Sequence, residues 1–286
     1  MRWRLRPPVL ALGGGGARGF AHYGVLEVLD DFKLPVRGIA GTSMGAVAGA
    51  MYLAHGSAGA AIARWRRAIE ADLVPPVRPL LNRMENGLRE NPLLQAARRI
   101  RDHVVVAFAA NRPTVLDGGD LERALSFLIP DGDLEDLRTP FVAVATDIAD
   151  GSEVRLVSGN LRRALRASGA IPGLLPPIEI GGRLLLDGGV VAEIPVAAGR
   201  TLGWPVIAVD TSMDLPRVSP KDLALDTMMR TQMMTARLVR RADLANASGV
   251  VRPQVGHATW ADWGRFDELV EAGRRAAKEY LGTPGQ

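Results

Sequence analysis

Short apolar runs alternate along this chain with stretches of helical periodicity. Val9 to Leu12, Val36 to Ala40, Phe141 to Ala145, Leu184 to Leu186 and Val206 to Val209 read as short strands covered on both faces. Phe20 to Asp30, Ala46 to Ala54, about Leu223 to Arg241 and Phe266 to Leu281 place apolar residues at helical spacing. This alternation predicts an α/β fold with a mostly parallel central sheet and helices on both faces. One stretch interrupts it. From about Gly56 to Arg112 the chain is rich in arginine and alanine, and Pro75, Pro76, Pro79 and Pro92 divide it into several helices joined by turns. The expectation is a single domain over residues 1–286, with a helical insertion or lid at about 56–112 and a C-terminal helical segment at about 219–286.

Two glycine-rich turns carry the chemistry. Gly41-Thr42-Ser43-Met44-Gly45 joins a predicted strand to a predicted helix, the setting of a nucleophile elbow. A serine on so sharp a turn is strained and exposed, and glycines two places to either side let neighbouring chains pass close. The second turn, Gly13 to Gly19, follows the first predicted strand and opens the first helix. Its successive N–H groups can face a negative oxygen, and Arg18 adds a positive charge. Read as G-x-G-x-x-G it also fits a dinucleotide fingerprint, but Arg37 to Gly41 lacks the carboxylate that reading needs.

A serine nucleophile needs a base. Among His22, His55, His103 and His257, only His257 lies late enough for the α/β-hydrolase order of serine, acid and histidine. His22, on the first helix, reads as a packed or capping residue. A carboxylate could instead take the serine proton directly, and Asp147, Asp187 and Asp210 each follow a predicted strand. Gly188 and Gly189 set Asp187 apart by permitting close backbone approach, although Asp-Gly also serves as an ordinary turn.

In this order and spacing, Gly14 to Gly19, Gly41 to Gly45 and Asp187 to Gly189 resemble the oxyanion loop, elbow and Asp-Gly-Gly motif of the patatin-like phospholipases, small bacterial branch. The blocks Arg166 to Gly173, Gly188 to Val196 and Val206 to Asp210 extend the likeness. Ala192-Glu193 departs from it, since an asparagine is expected before the proline-containing turn. The resemblance implies a patatin-like three-layer fold and a Ser43–Asp187 dyad that cleaves lipid carboxylic esters through an acyl-serine. It implies an oxyanion hole from Gly14, Gly15, Gly16, Ala17 and Arg18, with Gly19, Gly41, Gly45, Gly188 and Gly189 shaping the turns. A lipid acyltransferase using the same serine, or a non-catalytic regulator on this fold, are the alternatives.

Composition changes this picture only at the edges. The chain has 286 residues, 47% of them hydrophobic, and no cysteine, which excludes disulfides and thiolate chemistry. Its four histidines show no metal-ligand spacing, so neither metal nor other cofactor is expected. No run approaches eighteen apolar residues, and Met1 to Arg6 precedes too short an apolar stretch for a secretory leader. The expected address is cytoplasmic, with peripheral contact at the inner membrane a further expectation. Residues 56–112 hold ten arginines against five acids, a local +5 beside the whole chain's +4. That suits a solvated helical face, or docking on anionic lipid. Dispersed basic residues without aromatic interleaving argue against a nucleic-acid partner. Met228, Met229, Met233 and Met234 read first as core packing and second as an acyl-chain surface.

Overall fold

The computed structural model describes residues 6–73, 118–213 and 224–282. β1 (Val9–Leu12) leads through a 3-10 turn (Gly16–Phe20) into α1 (Ala21–Asp31), and β2 (Gly38–Thr42) leads into α2 (Met44–His55) and α3 (Ala58–Glu70). After residue 117 come α4 (Gly119–Leu128), β3 (Phe141–Asp147), β4 (Glu153–Leu156), α5 (Leu161–Ser168), β5 (Ile178–Ile180) and β6 (Arg183–Asp187). α6 (Val196–Leu202), β7 (Val206–Val209), α7 (Ala224–Ala245), β8 (Gly249–Val251) and α8 (Phe266–Gly282) complete the order.

The eight strands form one sheet in the order β5-β6-β3-β2-β1-β7-β8, with β4 also paired to β3. From β3 to β8 along that order every pairing is parallel, while β4, β5 and β6 join antiparallel. This is the α/β fold expected.

Strand alternation assigns the layers. Leu10, Leu12, Ile39, Phe141, Ala143, Ile207 and Val209 face a large core shared with α1, α2, α3, α4, α5 and α8. Val9, Ala11, Val206 and Ala208 face the other way, toward Ile194 and Val196, as Ala40, Val142 and Val144 face Ala198. Buried on both faces, β1, β2, β3 and β7 read as continuous apolar runs for that reason.

Most of the expected insertion, and the side chains of Leu225, Met228 and Met229, lie outside the described residues. The core-packing expectation is corrected at two positions of α7, where Leu238 is 65% exposed and Met234 42% exposed, while Met233 is partly buried. Sheet coverage on that side comes mainly from α6 and the segment before it.

Candidate active site

The sheet register brings the two motif residues together. Val144 of β3 pairs with both Thr42 of β2 and Arg155 of β4, so β2 and β4 occupy opposite edges of β3. Ala145 pairs with both Val154 of β4 and Asp187 of β6, so β6 lies on the edge that β2 occupies. β2 therefore leaves this edge at Ser43, and Asp187 takes the next place on it. On the far side of β2, Leu12 pairs with Gly41, which carries Gly14 to the level of Ser43. A Cβ on Gly14 would sit 3.6 Å from that of Ser43.

Ser43 has the backbone of a strained elbow, with φ 52° and ψ −122°, immediately before α2. Two glycines make the turn fit. A Cβ at Gly41 would come within 2.4 Å of the Ala46 Cα, and one at Gly45 within 2.1 Å of the Leu12 carbonyl oxygen. The Ser43 N–H donates to the hydroxyl of Ser168 at 2.9 Å, and that hydroxyl donates to the Val144 carbonyl at 2.6 Å. Ser168, at the end of α5, thus ties the elbow to β3.

Asp187 is 7% exposed, and its carboxylate lies beside the Ser43 side chain. Its Oδ1 also accepts from the Gly189 N–H at 2.7 Å. Burial pushes its pKa up to about 6, while the bonds from Ser43 and Gly189 pull the other way. Gly188 lies so close over β3 that a Cβ there would reach 2.3 Å from the Val144 carbonyl oxygen.

The N-terminal loop is pinned at successive peptides. The Gly13 carbonyl accepts from His22 Nε2 at 2.8 Å and the Gly14 carbonyl from the Thr211 hydroxyl at 2.8 Å. The Gly14 N–H donates to the Glu193 carbonyl at 2.9 Å, and the Ala17 N–H to the Trp260 carbonyl at 2.8 Å. Among the described residues the Gly15 and Gly16 N–H groups have no partner, and both residues are partly exposed. Of the amides expected to form the cradle from Gly14 to Arg18, those of Gly14, Ala17 and Arg18 are already committed to carbonyls.

Arg18 is 9% exposed and donates from Nε to the Thr211 carbonyl at 3.1 Å, so it buttresses the loop from beneath. Glu193, at the departure from the expected asparagine, faces Arg18 and Arg240; burial raises its pKa, and both arginines offset this.

The other sequence candidates are engaged elsewhere. Asp147 accepts from the Ala149 N–H in a turn, and Asp210 binds Ser212 and Arg252. His22 is fully buried, and burial holds its pKa down at about 4. His55 bonds to the Leu128 carbonyl, His257 is solvent-exposed, and His103 lies outside the described residues.

Beside Ser43 opens a cleft of about 90 Å³, lined by Val47, Leu121, Leu165, Ile171, Trp260 and Trp263 among others. Its walls are almost wholly apolar. Sequence reasoning missed the two tryptophans and Ser168 as parts of this site. The block around Ser168 was visible as a motif, but the tryptophans carried no signal beyond preceding a helix. A larger polar groove of about 490 Å³, lined by Arg162, Arg163 and Arg166, does not include Ser43.

The register of this α/β sheet thus sets Ser43 beside a buried carboxylate, Asp187. The family model for patatin-like phospholipases matches residues 10–199, and the chain belongs to that family. It is 35% identical over 188 residues to an uncharacterized NTE family protein of Mycobacterium tuberculosis, covering 66% of this chain and 44% of that protein. Identity to lysophospholipase NTE1 of Pyricularia oryzae is 26% over 298 residues, covering 95% of this chain and 18% of the other. The chain thus spans less than half the length of these curated relatives. VipD from Legionella pneumophila superposes with a TM-score of 0.46 at 15% identity, covering 96% of this chain and 66% of that one.

Proposed function

We propose that this chain is a serine lipid acyl hydrolase that cleaves carboxylic esters with Ser43 as nucleophile and Asp187 as its base. The observation that carries this reading is the placement of Ser43, on a strained elbow, beside the buried Asp187 carboxylate, with the Gly15 and Gly16 amides without partners among the described residues. A carboxylate with pKa about 6 is mostly ionised at neutral pH, yet holds a proton better than an ordinary aspartate.

Asp187 takes the hydroxyl proton as Ser43 Oγ attacks the carbonyl carbon. The Gly15 and Gly16 amides hold the developing oxyanion, in positions fixed beforehand by the bonds to Gly13, Gly14 and Ala17. Collapse expels the alcohol, which leaves with the proton from Asp187. Water then adds to the acyl-serine with Asp187 again as base, and releases the acid. Apolar walls beside Ser43 suit the first carbons of an acyl chain. Membership of the family and the lysophospholipase named among the relatives support a lipid ester as substrate.

Labelling with a fluorophosphonate probe, followed by peptide mapping, tests the nucleophile. Modification is expected at Ser43, to be lost in Ser43→Ala and slowed in Asp187→Asn. Labelling elsewhere, or none in a folded protein, would sink the assignment.

A further inference from the structure

α7 is 22 residues long, yet none of its described side chains is fully buried, whereas α8 buries Phe266, Leu269, Val270 and Ala277. Its last turns are fixed to the sheet. The Ile194 N–H donates to the Asp243 carboxylate at 3.4 Å, and Arg240 faces Glu193. Just beyond the helix, the Ser248 hydroxyl accepts from Val206 at the start of β7. Because α7 feeds β8, which runs parallel to β7, it descends from the carboxyl end of the sheet to the amino end. Residues 224–239 therefore lead in from the side of the carboxyl end, on which Ser43 lies.

A turn of 100° per residue sorts this helix into two faces. Met234, Leu238, Ala242 and Ala245 fall on one arc together with Thr231 and Thr235, and all six are exposed. Arg237 and Arg241 border that arc, and Arg230 lies on the same side two turns before Arg237. Among the described side chains of α7 the only carboxylate is Asp243, which is turned inward to Ile194. Among the described side chains the outward face is thus apolar and hydroxylic, edged by cations, and free of acid.

We propose that this face of α7 is a docking surface for anionic phospholipid. Met234 and Leu238 enter the boundary between headgroups and acyl chains, and Arg237 and Arg241 take phosphate oxygens. Among the described side chains, an apolar arc edged by arginines complements a layer of anionic headgroups over acyl chains. The use of this surface rests on the lipid-ester reading above, but binding is measured apart from turnover.

The test is sedimentation of the full chain with vesicles of phosphatidylcholine alone, or with one third phosphatidylglycerol, at low and high salt. Binding is expected only with phosphatidylglycerol and is released by salt. Arg237→Gln with Arg241→Gln weakens it about 25-fold, or about fivefold per arginine, and Leu238→Asp weakens it more than about tenfold. Both variants keep wild-type rates on soluble p-nitrophenyl butyrate and wild-type circular dichroism, since the altered side chains point outward. Ser43→Ala binds vesicles as the wild type does. Indifference of the wild type to phosphatidylglycerol, or unchanged binding by both variants, overturns the proposal. Binding that follows this pattern in a protein without esterase activity leaves the docking face standing and removes the hydrolase reading.

Discussion

At the scale of single residues the decisive quantity is the protonation of Asp187. Its value of about 6 predicts that kcat/KM on a soluble ester rises with pH through a limb near 6, since only the ionised carboxylate can take the Ser43 proton. Asp187→Asn should lower kcat by about 10²- to 10⁴-fold. The same substitution should stabilise the fold. A folded value above that of an unfolded aspartate means that the fold favours the protonated form. The group's contribution is therefore present at low pH and is lost as pH rises through about 6. At pH 8 the buried carboxylate costs roughly 3 kcal/mol, reckoned from an unfolded aspartate near 3.9. Asp187→Asn thus melts higher than wild type at pH 8, and the gain vanishes toward pH 4; an equal gain at both pH values would contradict the burial argument. The turns that carry Ser43 and Asp187 could be read from sequence because glycines mark both. Ser168 and Trp260 could not, because each acts on a partner more than a hundred residues away in the chain, with no local pattern to announce it.

At the scale of elements, the glycine loop and the elbow are held by bonds from other parts of the chain. Gly16 has φ 56°, and a Cβ there would come within 2.3 Å of the Trp260 carbonyl oxygen, so Gly16→Ala must displace the loop or Trp260. The expected cost is at least ~2 kcal/mol in stability, with kcat lowered by about 10²- to 10³-fold as the oxyanion donors move. Ser168→Ala leaves the Ser43 N–H unpaired beneath a strained turn, and should cost about 1–3 kcal/mol and reduce kcat with little change in KM. Chemical denaturation and ester kinetics on both variants check these outcomes; unchanged kcat in Ser168→Ala would mean that the elbow holds itself. β1, β2, β3 and β7 were legible as apolar runs, since both their faces are covered. β4 and β5, three or four residues long and partly exposed, offered no such run. α7 misled because its apolar spacing matches that of a packed helix, while the spacing says nothing about whether a partner lies beneath it.

Across the whole molecule, the site depends on how the two ends of the chain pack. α1 starts where the glycine loop ends, and α8 lies against it so closely that a Cβ at Gly24 would be 1.8 Å from the Val270 carbonyl oxygen. A Cβ at Gly273 would be 1.9 Å from that of Ala21. Phe20, the last residue of the 3-10 turn, packs edge-on against Trp65, Trp263 and Phe266, and Arg274 pairs with Glu27. The composition indicated a single core, but nothing in the local sequence revealed that Gly24 and Gly273 face each other's helices, because each glycine is explained only by the backbone it meets. Forcing these helices apart should reach the active site through Phe20 and Trp263, the second of which also walls the cleft. Gly273→Val is therefore expected to cost about 3 kcal/mol by overpacking. It should also lower kcat/KM on a soluble ester, although residue 273 touches neither Ser43 nor Asp187. Lys278→Gln, on the same helix and exposed, should change neither quantity. Thermal melts and kinetics on the pair decide the matter. A Gly273→Val protein that melts lower but keeps full kcat/KM below its transition would show that α8 stabilises the fold without shaping the oxyanion loop.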